Sequence, residues 1–365
     1  MIGGVDTHGA AHHAAVILMN GRRLADREFP ATSSGYADLL AWLASYGRLA
    51  TVGVEGTSSY GAALARHLRA AGVKLAEVDR PDRKDRRMRG KSDPLDAYRA
   101  AEAVLAGRAA TVPKTADGIV EAIRALHTTR ASAVKARRVA VCQLRALLVT
   151  APASLREDLA GLRAPALVAA CLQLKPDADL AGPAAATRCA LATLARRHRA
   201  LTTEITTLES HIHPLVARAA PALLALHGAG PETAAQLLIT AGDNPERLRS
   251  EAAFAALCGV SPIPASSGQT HRHRLNRGGD RQANRALHVI TIARLRTDPA
   301  TRAYRDRRAT QQLSNRDINR CLKRYIARQV YHALTSPPAP DDLLPHGPVK
   351  GALRASPPAI GSAAP

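Results

Sequence analysis

Two groups of side chains carry most of the chemistry this sequence could perform. The first is a set of carboxylates. Asp6 closes the apolar run 2–5, Glu55 closes the run 51–54, and Asp93 and Asp96 stand three residues apart in KSDPLDA. Carboxylates at the ends of neighbouring strands meet at one sheet edge, and a spacing of three puts Asp93 and Asp96 on one helical face. Hard oxygen ligands gathered in this way suit Mg²⁺ or Mn²⁺. Paired ions of that kind clamp the attacking and leaving oxygens of a phosphoryl transfer. Asp93 and Asp96 have a second use, because acids at a helix N-terminus are favoured by the macrodipole. The second group is the stretch 262–288, PIPASSGQTHRHRLNRGGDRQANRALH. Ser266, Ser267 and Gly268 are followed there by Arg272, Arg274, Arg277, Arg281 and Arg285, with Gly278 and Gly279 between them. Guanidinium forks match phosphate geometry, and glycine lets a backbone approach a ligand closely. A hydroxyl beside glycine and facing a basic wall suits attack on a phosphodiester. The same residues would also make an ordinary basic surface loop.

These groups need elements to position them. Apolar runs at 2–5, 14–19 and 24–29 read as strands, with Asn20-Gly21 as a hairpin turn. Ser33 or Ser34 can cap a helix to about Tyr46. A strand at 51–54, a helix over 60–71 stopped by Gly72 and a strand at 73–78 follow. The order β-β-β-α-β-α-β predicts an α/β unit, a mixed sheet with flanking helices. Ser92 can cap a further helix with Pro94 in its first turn. Just before it, Arg83, Lys84, Arg86, Arg87, Arg89 and Lys91 would hold a polyanion beside the carboxylates. From 115 to 213 the pattern is helical, with joints expected near 151–152 and 175–183, able to form a hairpin or a coiled coil between protomers. Arg130, Lys135, Arg137, Arg138 and Arg145 give it a basic face. Gly228-x-Gly230 before Thr233 fits either a phosphate-contacting helix-hairpin-helix or a plain packing turn. Helices are expected at 250–257, 283–296, 302–308 and 315–334, and residues 336–365 read as a disordered tail.

Composition narrows the partner. The chain has 365 residues, a net charge of +21 and only 3% aromatics. Its cores must be aliphatic, which favours packed helices. A field of that sign attracts polyanions, so nucleic acid leads. No apolar run is long enough to span a membrane. The five cysteines show no CxxC pair, so neither a disulfide framework nor a zinc knuckle is indicated. The histidine pairs 12–13, 211/213 and 271/273 lack further ligands at metal spacing.

VGVEGTSSYG, KSDPLDA and the stretch from SSG to RGGDRQANRAL resemble the DEDD transposases of the Piv and IS-one-ten type, in order and spacing, over about residues 1–335. Thr57-Ser58-Ser59 stands where many relatives have Thr-Gly-Ser. The resemblance implies a RuvC-like (RNase H-like) domain over 1–110 with a metal-binding tetrad on Asp6, Glu55, Asp93 and Asp96. It implies a dimerising coiled-coil segment over 111–215 and a mainly helical C-terminal transposase domain over 216–335, with Ser267 as nucleophile and Ser266 as the alternate. The expected activity is that of a bridge-RNA-guided recombinase of an insertion sequence, cleaving and rejoining donor and target DNA. The alternative is a metal-dependent junction nuclease acting by hydrolysis. Partners would be DNA, a structured guide RNA and further copies of the chain, from dimer to tetramer, in the bacterial cytoplasm at the nucleoid.

Overall fold

The computed structural model describes residues 1–78, 92–175, 178–268 and 273–335. Arg83, Lys84, Arg86, Arg87, Arg89, Lys91 and Arg272 lie outside the described residues, as does the tail expected over 336–365. The described part belongs to one compact unit, Met1–Thr335.

Five strands form one sheet: β1 (Ile2–Thr7), β2 (Ala11–Ile17), β3 (Arg23–Pro30), β4 (Thr51–Glu55) and β5 (Leu75–Val78). Their order is β3-β2-β1-β4-β5. The first three run antiparallel, while β1, β4 and β5 run parallel, so the mixed sheet expected from the element order is present. The Asn20-Gly21 turn joins β2 to β3, with Gly21 at φ +86°, a conformation that glycine adopts without steric cost. The central strand β1 is buried along its whole length, as a strand covered on both faces must be. Helices α1 (Ser33–Ser45) and α2 (Ala62–Ala70) cover one face over Val5, Val16, Val52 and Val54. The cap of α1 is Thr32, whose hydroxyl accepts from Gly35 N at 3.2 Å, rather than Ser33 or Ser34. A cap must hold an extended backbone, and both serines are already helical.

The opposite face is covered by α3 (Asp93–Leu105) through Ile2, Ala15, Ile17, Ala97 and Ala101. Its approach is set by two glycines side by side in register, Gly4 on β1 and Gly53 on β4. A Cβ on Gly4 would lie 2.2 Å from Ala97 O and 2.4 Å from Ala101 N. One on Gly53 would lie 2.7 Å from Val104 Cγ2 and 2.9 Å from Ala100 O. The helix therefore rests directly on the strand backbones.

The helical segment is an intrachain hairpin. Helix α4 (Ile119–Val149) pairs with α7 (Pro183–Ala219), while α5 (Ala153–Leu159) and α6 (Ala164–Gln173) fill the connection. Val120 and Ile123 pack with Ile212 and Val216 at one end, and Leu144 and Leu148 with Leu191 and Ala195 at the other, so the pair is antiparallel. Arg130 donates through Nε to Glu209 at 2.9 Å and is ion-paired with Glu232. It braces the hairpin and does not belong to a free basic face.

The remaining elements are α8 (Pro221–Leu224), α9 (Pro231–Ala241), a 3-10 helix at Pro245–Arg247, α10 (Glu251–Leu257), β6 (Ile263–Pro264), β7 (His273–Arg274), α11 (Arg281–Thr297), α12 (Pro299–Thr310) and α13 (Asn315–Thr335). Their core, around Leu237, Phe254, Leu287, Ile290, Ile326 and Val330, takes in the base of the α4–α7 hairpin. The Gly228 turn packs inward: its Cβ position is 3.2 Å from Ile290 O, and Arg294 Nε donates to His227 O at 2.7 Å. Gly230, the N-cap of α9, has open space about its Cβ position. No helix among the described residues is long and apolar enough to cross a membrane.

Candidate acidic centre and serine loop

The strand alternation decides which way the acids face. Side chains two apart on a strand share a face, so Gly4 and Asp6 lie on the α3 side, as do Gly53 and Glu55. Val5 is in register with Val54, which puts Asp6 and Glu55 next to one another at the carboxyl ends of adjacent parallel strands. Thr7 Oγ1 donates to Glu55 O at 2.8 Å and ties the two ends together. Gly56, at φ +69°, turns the chain away immediately after Glu55.

Helix α3 delivers Asp93 and Asp96 to the same face. Asp93 joins Asp6 and His8 in a set whose ligand atoms all lie within 4.8 Å of one another. His8 Nε2 is 3.1 Å from Asp6 Oδ2 and 3.5 Å from Asp93 Oδ1. Asp6 is buried and Asp93 is half exposed, so the set opens to solvent at one side. Asp96 is buried a turn further along and accepts a charge-assisted bond from Arg99 Nη1 at 2.7 Å. The structure thus gathers Asp6 and Asp93 into one ligand set, with Glu55 beside Asp6 and Asp96 on the overlying helix. Sequence reasoning missed His8. It lies just past the end of β1, and its place in the set comes from Asp93 at the start of the helix packed above it.

Oxygen donors with one imidazole are a fitting set for a divalent ion such as Mg²⁺ or Mn²⁺. Two carboxylates this close repel unless a cation stands between them.

The serine loop is built differently. β6 and β7 pair antiparallel, Ile263 with Arg274 and Pro264 with His273, forming a small hairpin where the sequence had suggested only a loop. Ser266, Ser267 and Gly268 are exposed within it, and Gly268 has φ +56° with open space about its Cβ position. Glycine is needed there for its backbone conformation and not for room. The base of the loop is held by Asp280, whose Oδ1 accepts from Gln282 N and Ala283 N as the N-cap of α11. Its Oδ2 accepts from Thr240 Oγ1 at 2.8 Å. A Cβ on Gly279 would stand 2.2 Å from Gly259 N, so this glycine permits an internal backbone contact rather than a ligand contact. Arg274, Arg277, Arg281 and Arg285 are all exposed. Among the described residues, no hydrogen bond or ion pair joins this loop to the Asp6 set.

Residues 3–151 match the DEDD family model of IS110 type described as "Transposase", and residues 220–306 match the model described as "Transposase IS116/IS110/IS902 family". The chain is 38% identical over 112 residues to the insertion element IS110 uncharacterized 43.6 kDa protein of Streptomyces coelicolor, covering 30% of this chain and 26% of that one. It is 28% identical over 158 residues to the insertion element IS900 uncharacterized 42 kDa protein of Mycobacterium paratuberculosis, covering 40% of each. The matched stretches therefore span well under half of these relatives.

Proposed function

From the premise that this chain carries two transposase domains of the IS110 insertion-sequence type, we propose that it cleaves and rejoins DNA strands through a phosphoserine formed on Ser267. The observation that carries this reading is the meeting of Asp6, His8 and Asp93 within 4.8 Å at the end of the sheet, beside Glu55. The strand order, three antiparallel strands followed by two parallel ones, supports a RuvC-like reading of the N-terminal part. Asp6, Glu55, Asp93 and Asp96 would hold the divalent ion. Bound there, Mg²⁺ supplies charge stabilisation to phosphate oxygens.

Ser267 Oγ attacks the scissile phosphorus and forms a P–O bond, while the bond to the leaving oxygen breaks and that oxygen takes up a proton. The hydroxyl of an incoming strand then attacks the phosphoserine and restores the free serine. The phosphodiester energy is conserved, so rejoining needs no nucleotide cofactor. Exposure of Ser267 suits a polymeric substrate that must lie across the loop. The lack of a described contact between this loop and the acidic set is accommodated by a composite site, the carboxylates of one protomer facing the serine of another. The charge of +21 suits both DNA and a structured guide RNA that would specify the two DNA partners.

The test is to stop the reaction under denaturing conditions and map DNA-linked peptides. A DNA adduct on the Ser267 peptide is expected, absent in Ser267→Ala and retained in part by Ser266→Ala. Free DNA ends from an active Ser267→Ala protein would instead establish a hydrolytic junction nuclease.

A further inference from the structure

A cavity of about 700 Å³ opens at the foot of the β6–β7 hairpin, between residues 259–262, residues 273–276 and the exposed face of α13. Its wall carries Arg274, Arg308, Arg320, Lys323, Arg324 and Arg328, against the single carboxylate of Asp317. Three of these cations have acidic partners: Arg320 with Asp317 at 2.8 Å, and Arg324 and Arg328 with Glu251 at 3.2 and 2.7 Å. Among the described residues, the other three have none. Lys323 reaches only the amide oxygen of Asn284, at 2.8 Å, and burial with Arg320 alongside holds its ammonium below the usual lysine range. Arg308 spends one nitrogen on Gln311, while its Nε is buried with no acceptor. Arg274 stands exposed on β7, and no ion pair to it is present among the described residues. A buried donor without an acceptor costs stability, and clustered cations repel, so this wall is built for an anion that supplies several oxygens.

The cavity is too large for a phosphate alone and falls in the size range of sites for drug-sized ligands. It also holds an exposed ring in a chain with few of them. Tyr325 is 53% exposed, and its edge-to-face contact with Tyr304, at 5.7 Å between centroids, fixes its plane. Exposed aromatic rings next to cations are the platforms on which unpaired bases stack. We propose that this cavity binds one unpaired nucleotide of a nucleic-acid strand, with its base on Tyr325 and its phosphates on Arg274, Arg308 and Lys323. The inference rests on the reading of this chain as a nucleic-acid enzyme, and deepens it by giving the strand a fixed anchor beside the Ser267 hairpin.

The experiment uses the full chain with short single strands, one of DNA and one of RNA, each labelled with fluorescein and carrying one 5-iodouracil base. Irradiation is expected to cross-link that base to Tyr325. Tyr325→Ala should weaken binding by roughly five- to a hundredfold, the loss typical of one stacked base, and Tyr325→Phe should restore it. Lys323→Met should flatten the dependence of log affinity on log salt by about 0.7, one phosphate contact of a single strand. Whether the DNA or the RNA strand cross-links identifies the source of the nucleotide. Cross-links that map only outside the cavity, with Tyr325→Ala binding within about twofold of the parent, would overturn the assignment. A cross-link to Tyr325 without a phosphoserine adduct would defeat the strand-transfer reading alone. The adduct without the cross-link would defeat the cavity alone.

Discussion

Gly4→Ala is the sharpest probe of how the acidic set is held. The added methyl would sit 2.2 Å from Ala97 O, 2.4 Å from Ala101 N and 2.9 Å from Ala101 Cβ. The two nearest atoms are helix backbone and cannot rotate away. The axis of α3 must therefore retreat from β1 by about 1 Å to restore ordinary contact distances. Overpacking of this kind costs about 1–3 kcal/mol, and the upper part of that range applies where backbone meets backbone. The retreat carries Asp93 and Asp96 with the helix, while Asp6, His8 and Glu55 stay on the sheet. Misplacement of catalytic groups by about 1 Å lowers a rate by roughly a hundredfold. Gly3→Ala is the matched control. It points to the other face, where its Cβ meets only side-chain ends of Val52 and Leu43 at 3.2 to 3.3 Å, and a small loss is expected. Denaturant midpoints and single-turnover cleavage of labelled DNA should be measured for both variants. A Gly4→Ala protein as stable and as fast as the Gly3→Ala protein would refute the claim that this glycine sets the helix height.

Three further outcomes are expected. Asp96→Asn should abolish strand cleavage while leaving DNA binding near the parental level in a filter-binding or anisotropy assay; full cleavage would remove Asp96 from the mechanism. Asp280→Ala removes both a helix cap and the Thr240 bond. It should cost about 1–2 kcal/mol for the cap alone, seen as a lowered denaturation midpoint. His12 is buried and stacks on Tyr36 at 5.6 Å, and among the described residues neither ring nitrogen has a side-chain hydrogen-bond partner. Burial, the largest influence, holds its folded-state pKa below 6.5, so the unfolded chain binds its proton first as pH falls. Stability tied to this group should be complete above about pH 6.5 and be lost as pH drops towards the lower folded value. Denaturation midpoints measured from pH 7.5 down to 5 should fall less steeply for His12→Phe, and equal slopes would contradict the burial argument.

Much of the N-terminal architecture was legible because each element carried its own punctuation. Asn20-Gly21 and Gly72 mark chain reversals through positive φ, and Asp6 and Glu55 end strands whose apolar character declares them buried. The spacing of Asp93 and Asp96 behind Ser92 correctly announced a helix start there. His8 escaped notice because its meaning depends on the helix packed above it, which local pattern does not encode. The β6–β7 hairpin escaped for a related reason: strands of two residues leave no periodicity. Arg130 looked like a free basic residue until the antiparallel fold of α4 and α7 brought Glu209 and Glu232 to it. Charge partners nearly 80 or more residues away in sequence are visible only in three dimensions.

The α4–α7 hairpin has a mechanical consequence. Its base is rooted in the C-terminal core through Ile123 and Ile212, and its far end is locked by Leu144 and Leu191 into a separate cluster with α5 and α6. From Ile123 to Leu144 a helix rises about 32 Å. Two such helices braced by the Arg130 ion pairs form a stiff beam, and a beam converts angle into distance. A tilt of about 5° at the root sweeps the tip through about 3 Å at that length, close to the rise of one base pair.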